Sequence, residues 1–205
     1  MPELIDDADF NTKLNEIERN TTHTARFLEK GVDDFLLNGY AIPFGYRLVK
    51  ARTEHQYRLI TVSEQPVTAY AVKLEFYDHI VVGFNTCTQV MVWRSIRPEH
   101  RRAVLDLPAL FFAHLVNNFT LVVSDSQHTE LGRRFWETRI IESLSLPSMH
   151  VYVSDGTQAD RDGVIPLSEV KSDRDFYEIW REFCWGKVRD VHSLRLFVIS
   201  KVKLS

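Results

Sequence analysis

VMVWRSI (residues 90–96) and FTLVVSD (residues 119–125) are two short runs rich in β-branched and aromatic residues, and the apolar segment LPALFFAHLVNN (residues 107–118) lies between them. The two outer runs have the composition of strands, whereas the middle segment repeats its apolar residues with helical spacing. Strand, helix and strand in this order are typical of a βαβ unit, in which the strands are parallel. Because parallel strands are covered on both faces, we expect this unit to lie at the centre of the sheet.

Strand-like segments also precede this unit, at residues 46–51, 57–63 and 68–78, with short turns between them. Strands that are joined by short turns pair antiparallel. The sequence therefore predicts an α/β protein with a mixed, mostly antiparallel sheet that contains one central parallel βαβ step.

The two ends of the chain predict elements that pack on this centre. Residues 1–40 predict a helical region, because apolar residues recur there at spacings of three and four. Residues 172–205 predict a helix that ends at Gly186 and a last strand. Since 205 residues suffice for one sizeable core, we expect a single domain over residues 1–205.

Composition limits the classes of function. The net charge is -3 and the isoelectric point is about 6.2, whereas a dedicated nucleic-acid binder is usually basic overall. The N-terminus is acidic, and no apolar run reaches the roughly 20 residues of a membrane span. We therefore expect a cytoplasmic protein with no membrane partner. The histidines and cysteines lack zinc-ligand spacing, so the sequence predicts no metal site.

The segment IRPEHRRAVLDLPALFFAHLV (residues 96–116) resembles the acyl-CoA segment of GCN5-related N-acetyltransferases, in which a strand leads into a pyrophosphate-binding loop and a helix. The strand-like FTLVVSD and the helical segment after it resemble the next elements of that family, and the resemblance covers residues 46–153. It implies an acyl-CoA N-acyltransferase-like fold, acetyl-CoA as cofactor, and transfer of an acetyl group to an amine acceptor.

The resemblance also implies which residues bind the cofactor. The family's loop reads Arg/Gln-x-x-Gly-x-Gly/Ala, and its first position falls on Arg101. The implied cofactor-binding residues are Arg97, Arg101, Arg102, Ala103 and Val104. Val104 and Asp106 occupy the two small positions, and Asp106 is well placed to cap the following helix. The arginine side chains can hold an anion themselves, although a solvated basic surface explains them too.

Four further residues follow from the resemblance as catalytic candidates. Glu75, on a central strand, is the candidate base, and Ser124 and Asp125 line the cleft after the second strand. The helix TELGRRFWETRI has no tyrosine to act as the acid, so His128 is the candidate for that role.

Two other classes of function stay open, so the sequence does not decide whether the chain is an enzyme. Because Val104 and Asp106 depart from the family's loop, the protein is alternatively a non-catalytic binding or inhibitory module of the same fold that engages a protein or nucleic-acid partner. A more remote alternative is a metal-dependent hydrolase, because several candidate ligands follow strands. These ligands are Asp125, His128, Asp155, Asp160 and Asp162.

Overall fold

The computed structural model of the chain describes residues 14–76, 81, 84–123, 130–159, 165–187 and 191–204. The chain divides into two compact units, of which the first comprises Met1–Leu74 and Val90–His114, and the second comprises Glu75–Gln89 and Leu115–Ser205. The chain thus passes from one unit to the other three times, and the single domain expected from the sequence stays a prediction. None of the helices among the described residues has the length and apolar character needed to cross a membrane.

The first unit is built on strands that neighbour one another in the order β1-β2-β3-β4-β5. Its elements, some of which extend into the second unit, are α1 (Ile17–Glu29), β1 (Val32–Asp34), β2 (Tyr46–Ala51), β3 (Gln56–Thr61), β4 (Thr68–Phe76), β5 (Thr86–Arg94) and α2 (Leu107–Asn118). Antiparallel pairing sets Val32 opposite Ala51 and Tyr46 opposite Thr61. The register of β3 and β4 shifts at a bulge between Leu59 and Ile60.

Helix α1 runs without a break through Thr21 and Thr22. The hydroxyl groups of Thr21 and Thr22 donate to the carbonyl oxygens of Ile17 and Glu18 at 3.1 and 2.9 Å. These bonds occupy the polar side chains inside the helix, so the threonines do not end it. The end comes before Gly31, whose φ of 84° suits a residue without a side chain.

The sheet of the first unit separates two apolar layers, because successive side chains of a strand point to opposite faces. On one face Phe27 of α1 packs against Val49, Ala51 and Ile60. On the other face lie four aromatic rings, which belong to the loop after β1, to β3, to β4 and to α2. The ring centroids are 4.7 Å apart for Phe35–Tyr57, 5.5 Å for Tyr57–Phe111 and 5.6 Å for Tyr70–Phe111.

The second unit contains four strands in the order β6-β9-β7-β8. Its elements are β6 (Thr120–Val123), α3 (Glu130–Leu144), β7 (His150–Asp155), β8 (Leu167–Glu169), α4 (Asp173–Asp175), a π-helical turn (Phe176–Trp180), α5 (Arg181–Trp185) and β9 (Arg195–Ser200). Pairing is antiparallel from β6 to β9, from β9 to β7 and from β7 to β8. Val122, Tyr152 and Val198 form the centre of one apolar cluster.

The predicted central parallel βαβ step is wrong, and so is the acyl-CoA N-acyltransferase-like fold that it implied. The strands form two antiparallel sheets of five and four strands. Among the described residues, parallel contact joins two residue pairs at the starts of β5 and β6, Thr86↔Thr120 and Cys87↔Leu121. An apolar run shows that a strand is buried, but it does not specify the direction of the partner, and β6 pairs antiparallel with β9.

Candidate anion-binding site

Residues 97–104, which we call the arginine segment, lie between the end of β5 and the start of α2. Pro98 begins a short 3-10 helix, Pro98–His100, and its fixed φ suits that position. The amide of Arg101 donates to the carbonyl of Pro98 at 3.2 Å, and the amide of Val104 donates to the carbonyl of His100 at 3.1 Å. The segment is therefore a series of tight turns rather than an extended loop.

Two tyrosines hold the arginine segment against the rest of the first unit. The Tyr40 hydroxyl donates to the carbonyl oxygen of Ala103 at 2.6 Å. The Tyr46 hydroxyl lies 2.8 Å from Nδ1 of His100, and the Tyr46 and His100 rings meet edge to face. Since both bonds are between groups far apart in the chain, they fix the position of the segment as well as its shape.

The predicted cofactor-binding residues divide into a buried pair and three cations. Ala103 and Val104 are buried, so their side chains belong to the core of the unit and do not offer contacts to a ligand. Arg101 and Arg102 are exposed, and neither forms an ion pair with any residue in the described part of the chain. Arg97 is half-buried, with 3.9 Å between its Nη1 and Oε1 of Glu99.

The arginines supply the positive charge of the segment, because Tyr40, Tyr46 and His100 are neutral near pH 7. Burial raises the pKa of Tyr40 to about 12, and neighbouring Tyr46 and Asp106 add to this shift. Burial also raises the pKa of Tyr46 and lowers the pKa of His100 below its usual 6.5. A neutral His100 can accept the hydrogen bond of the Tyr46 hydroxyl at Nδ1.

Of the four predicted catalytic residues the structure describes one, Glu75. Glu75 is half-buried near the end of β4, in the part of that strand that belongs to the second unit. Ser124, Asp125 and His128 lie outside the described residues. Their catalytic roles therefore stay predictions.

Sequence reasoning missed the tyrosines and the apolar side chains of this region. Tyr40 and Tyr46 belong to the segment NGYAIPFGY (residues 38–46), whose composition predicts a loop but not what the loop contacts. Large apolar side chains are exposed at Phe44, at Ile96 (92%) and at Leu105 (62%). Ile96 and Leu105 are single apolar residues on either side of the arginines, so they form no helical or strand periodicity. The exposure of their side chains is therefore visible only in the structure.

The second unit contains a cavity of about 220 Å³ at the ends of α3, β7 and β8. Its polar lining residues are His150, Glu169 and Lys171, and Nδ1 of His150 lies 3.7 Å from Oε1 of Glu169. Because the carboxylate of Glu169 offsets the charge of Lys171, this cavity offers less to an anion than the arginine segment does.

Among the described residues no group of histidine, cysteine, aspartate and glutamate side chains is placed to hold a metal ion. Of the five ligands considered for a metal site, the structure describes Asp155 alone. Its Oδ1 accepts a hydrogen bond from the Thr157 hydroxyl at 2.6 Å and lies 3.6 Å from Nε of Arg195. Asp155 thus orders the turn after β7.

Comparison of the chain with protein-family models, with curated proteins and with solved structures found no match. The resemblance to GCN5-related N-acetyltransferases therefore stays a prediction from residues 96–116, and the function has to be inferred from the arginine segment itself.

Proposed function

We propose that the protein binds a phosphate-bearing ligand of the acyl-CoA type through the arginine segment, with acetyl-CoA as the ligand to test first. The observation that carries this proposal is that Arg101 and Arg102 are exposed and form no ion pair with the described residues. Guanidinium groups bind phosphate oxygens through two parallel hydrogen bonds. Two adjacent arginines in one short segment therefore suit a ligand that carries more than one phosphate.

The hydrogen bonds that fix the segment also favour binding. The backbone around Arg101 and Arg102 is held by Tyr40 at Ala103 and by Tyr46 at His100. A segment that is ordered before the ligand arrives loses less conformational entropy on binding. The remaining cost is the ordering of the arginine side chains themselves.

If the ligand is acetyl-CoA, the activity that we propose is transfer of its acetyl group to an amine. Such a reaction requires the amine to be positioned against the thioester and a base to accept its proton. Glu75 is the candidate base among the described residues. The proposal also keeps the cytoplasmic location that the sequence predicts. Binding is tested separately from catalysis, because the candidate base and the arginine segment belong to different units.

Calorimetric titration with acetyl-CoA tests the binding proposal. Replacing both arginines, Arg101→Gln/Arg102→Gln, removes charged hydrogen bonds worth about 1.5–3 kcal/mol each, so we expect affinity to fall by at least about tenfold. The control Arg19→Gln/Arg26→Gln removes the same charge from α1 and should change affinity by less than about threefold. No saturable binding by the wild-type protein, or an equal loss in the control, contradicts the proposal.

A second candidate function is binding of an acidic protein partner, which the exposed apolar side chains favour. Phe44, Ile96 and Leu105 lie close in sequence to residues that contact or form the arginine segment. Apolar side chains next to arginine are enriched at protein interfaces. A partner that binds the wild type and not Ile96→Ser/Leu105→Ser, together with no binding of acetyl-CoA, favours this function over the first.

A further inference from the structure

Tyr70 carries a hydroxyl group that is fully buried and has no hydrogen-bond partner among the described residues. The side chain lies in the middle of the first unit, on β4, with 0% of its surface exposed and its ring 5.6 Å from that of Phe111. An unpaired buried hydroxyl is costly, and native proteins keep few of them. Its persistence calls for an explanation other than packing, because phenylalanine would fill the same space.

Arg94 stands directly across from Tyr70 on the neighbouring strand. The amide of Ser95 donates to the carbonyl of Ala69 at 2.9 Å, which pairs residue 95 with residue 69 and so sets 94 opposite 70 on the other face. Burial raises the pKa of Tyr70, and the positive charge of Arg94 acts in the opposite direction. The hydroxyl is therefore protonated near pH 7 and can donate a hydrogen bond.

Of this pair, the residue on β5 is the exposed one. Arg94 is exposed, and Val92, two residues earlier and thus on the same face, is 40% exposed. Arg94 also lies three residues before Arg97, at the entrance to the arginine segment. One face of β5 thus presents an apolar side chain and a cation, and the buried Tyr70 lies opposite that cation on β4.

We infer that Tyr70 and Arg94 bind one phosphate group of the ligand, with the Tyr70 hydroxyl and the Arg94 guanidinium both donating to its oxygens. This inference rests on the proposed function, because it places a part of the same ligand. Movement of the exposed Arg94 side chain gives the phosphate access to the hydroxyl. The unpaired donor is then satisfied only when the ligand is bound.

The test combines the melting temperature of the unliganded protein with the affinity for acetyl-CoA. Tyr70→Phe removes a donor that is unpaired without ligand, so the melting temperature should stay the same or rise. The affinity for acetyl-CoA should fall by about tenfold or more, because a hydrogen bond to a charged group is lost. Arg94→Gln should weaken binding by a similar factor, and the double variant should lose less than the product of the two factors.

Tyr40→Phe is the matched control for stability, since the Tyr40 hydroxyl donates to Ala103 at 2.6 Å, and this variant should melt at a lower temperature than the wild type. A similar decrease for Tyr70→Phe, or unchanged affinity in Tyr70→Phe and Arg94→Gln, overturns the inference. If the wild type does not bind acetyl-CoA, the proposed function itself fails. If Arg101→Gln/Arg102→Gln weakens binding and Tyr70→Phe does not, only this inference fails.

Discussion

His100 and His114 lie partly buried in the first unit, and burial lowers the pKa of each below the usual value of 6.5. The folded state therefore favours neutral imidazoles, whereas the unfolded chain binds protons once the pH falls to about 6.5. The stability that these histidines contribute is complete above about pH 6.5 and is lost as the pH falls through the lowered pKa values.

We predict that the free energy of unfolding, measured with urea, decreases from about pH 7.5 to about pH 5.5. His100→Gln and His114→Gln should each reduce this decrease, because each removes one group that takes up a proton on unfolding. If both variants keep the full pH dependence of the wild type, other groups cause it and the buried histidines do not.

Individual residues show where sequence reasoning stops. The resemblance to GCN5-related N-acetyltransferases implies an anion site at Arg97, Arg101 and Arg102, and the structure places the last two at the surface. It does not predict that Ala103 and Val104 are buried, since burial depends on which distant residues cover the segment. Tyr40 covers it from 63 positions earlier in the chain, and no local pattern marks that contact.

At the level of elements, α1 is fastened to the start of β4 by a buried polar network. The amide nitrogen of Asn20 donates to the carbonyl of Thr68 at 3.0 Å, and the backbone amide of Thr68 donates to Oδ1 of Asn20 at 2.8 Å. The hydroxyls of Thr24 and Thr68 are 2.7 Å apart. Because these groups are buried, removing one partner leaves another without a hydrogen bond.

Thr24→Val keeps the shape of the side chain and removes its hydroxyl from this network. We expect a loss of about 1–3 kcal/mol in the free energy of unfolding. Thr22→Val, on the exposed side of the same helix, is the control and should change stability by less than about 0.5 kcal/mol. Equal effects of the two substitutions, measured by urea denaturation, contradict a role for the network.

Elements were predicted well where the signal is local and poorly where it is not. The helix predicted over residues 107–118 is confirmed, because the helical spacing of its apolar residues lies within the segment itself. The parallel pairing of its flanking strands is wrong, because strand direction depends on which elements compete for each edge. One edge of β6 pairs with β9, whose residues come 74 to 78 positions later in the chain.

For the whole molecule, the net charge and the charge of the arginine segment predict different affinities for anions. The chain carries a net charge of -3, which argues against a general affinity for polyanions. The arginine segment nevertheless concentrates three cations within six residues, from Arg97 to Arg102. A ligand selected by this segment must therefore be small enough to avoid the acidic remainder of the surface, which favours a phosphate-bearing cofactor over a long nucleic acid.

Hydrogen–deuterium exchange followed by mass spectrometry, with and without saturating acetyl-CoA, locates the ligand on the chain. Binding at the arginine segment should slow exchange in peptides that cover residues 97–106 and the first turn of α2, because the ligand holds the turns closed. Slowed exchange confined to the second unit, for example around the cavity at His150, would contradict the assignment of the site, and so would no change anywhere.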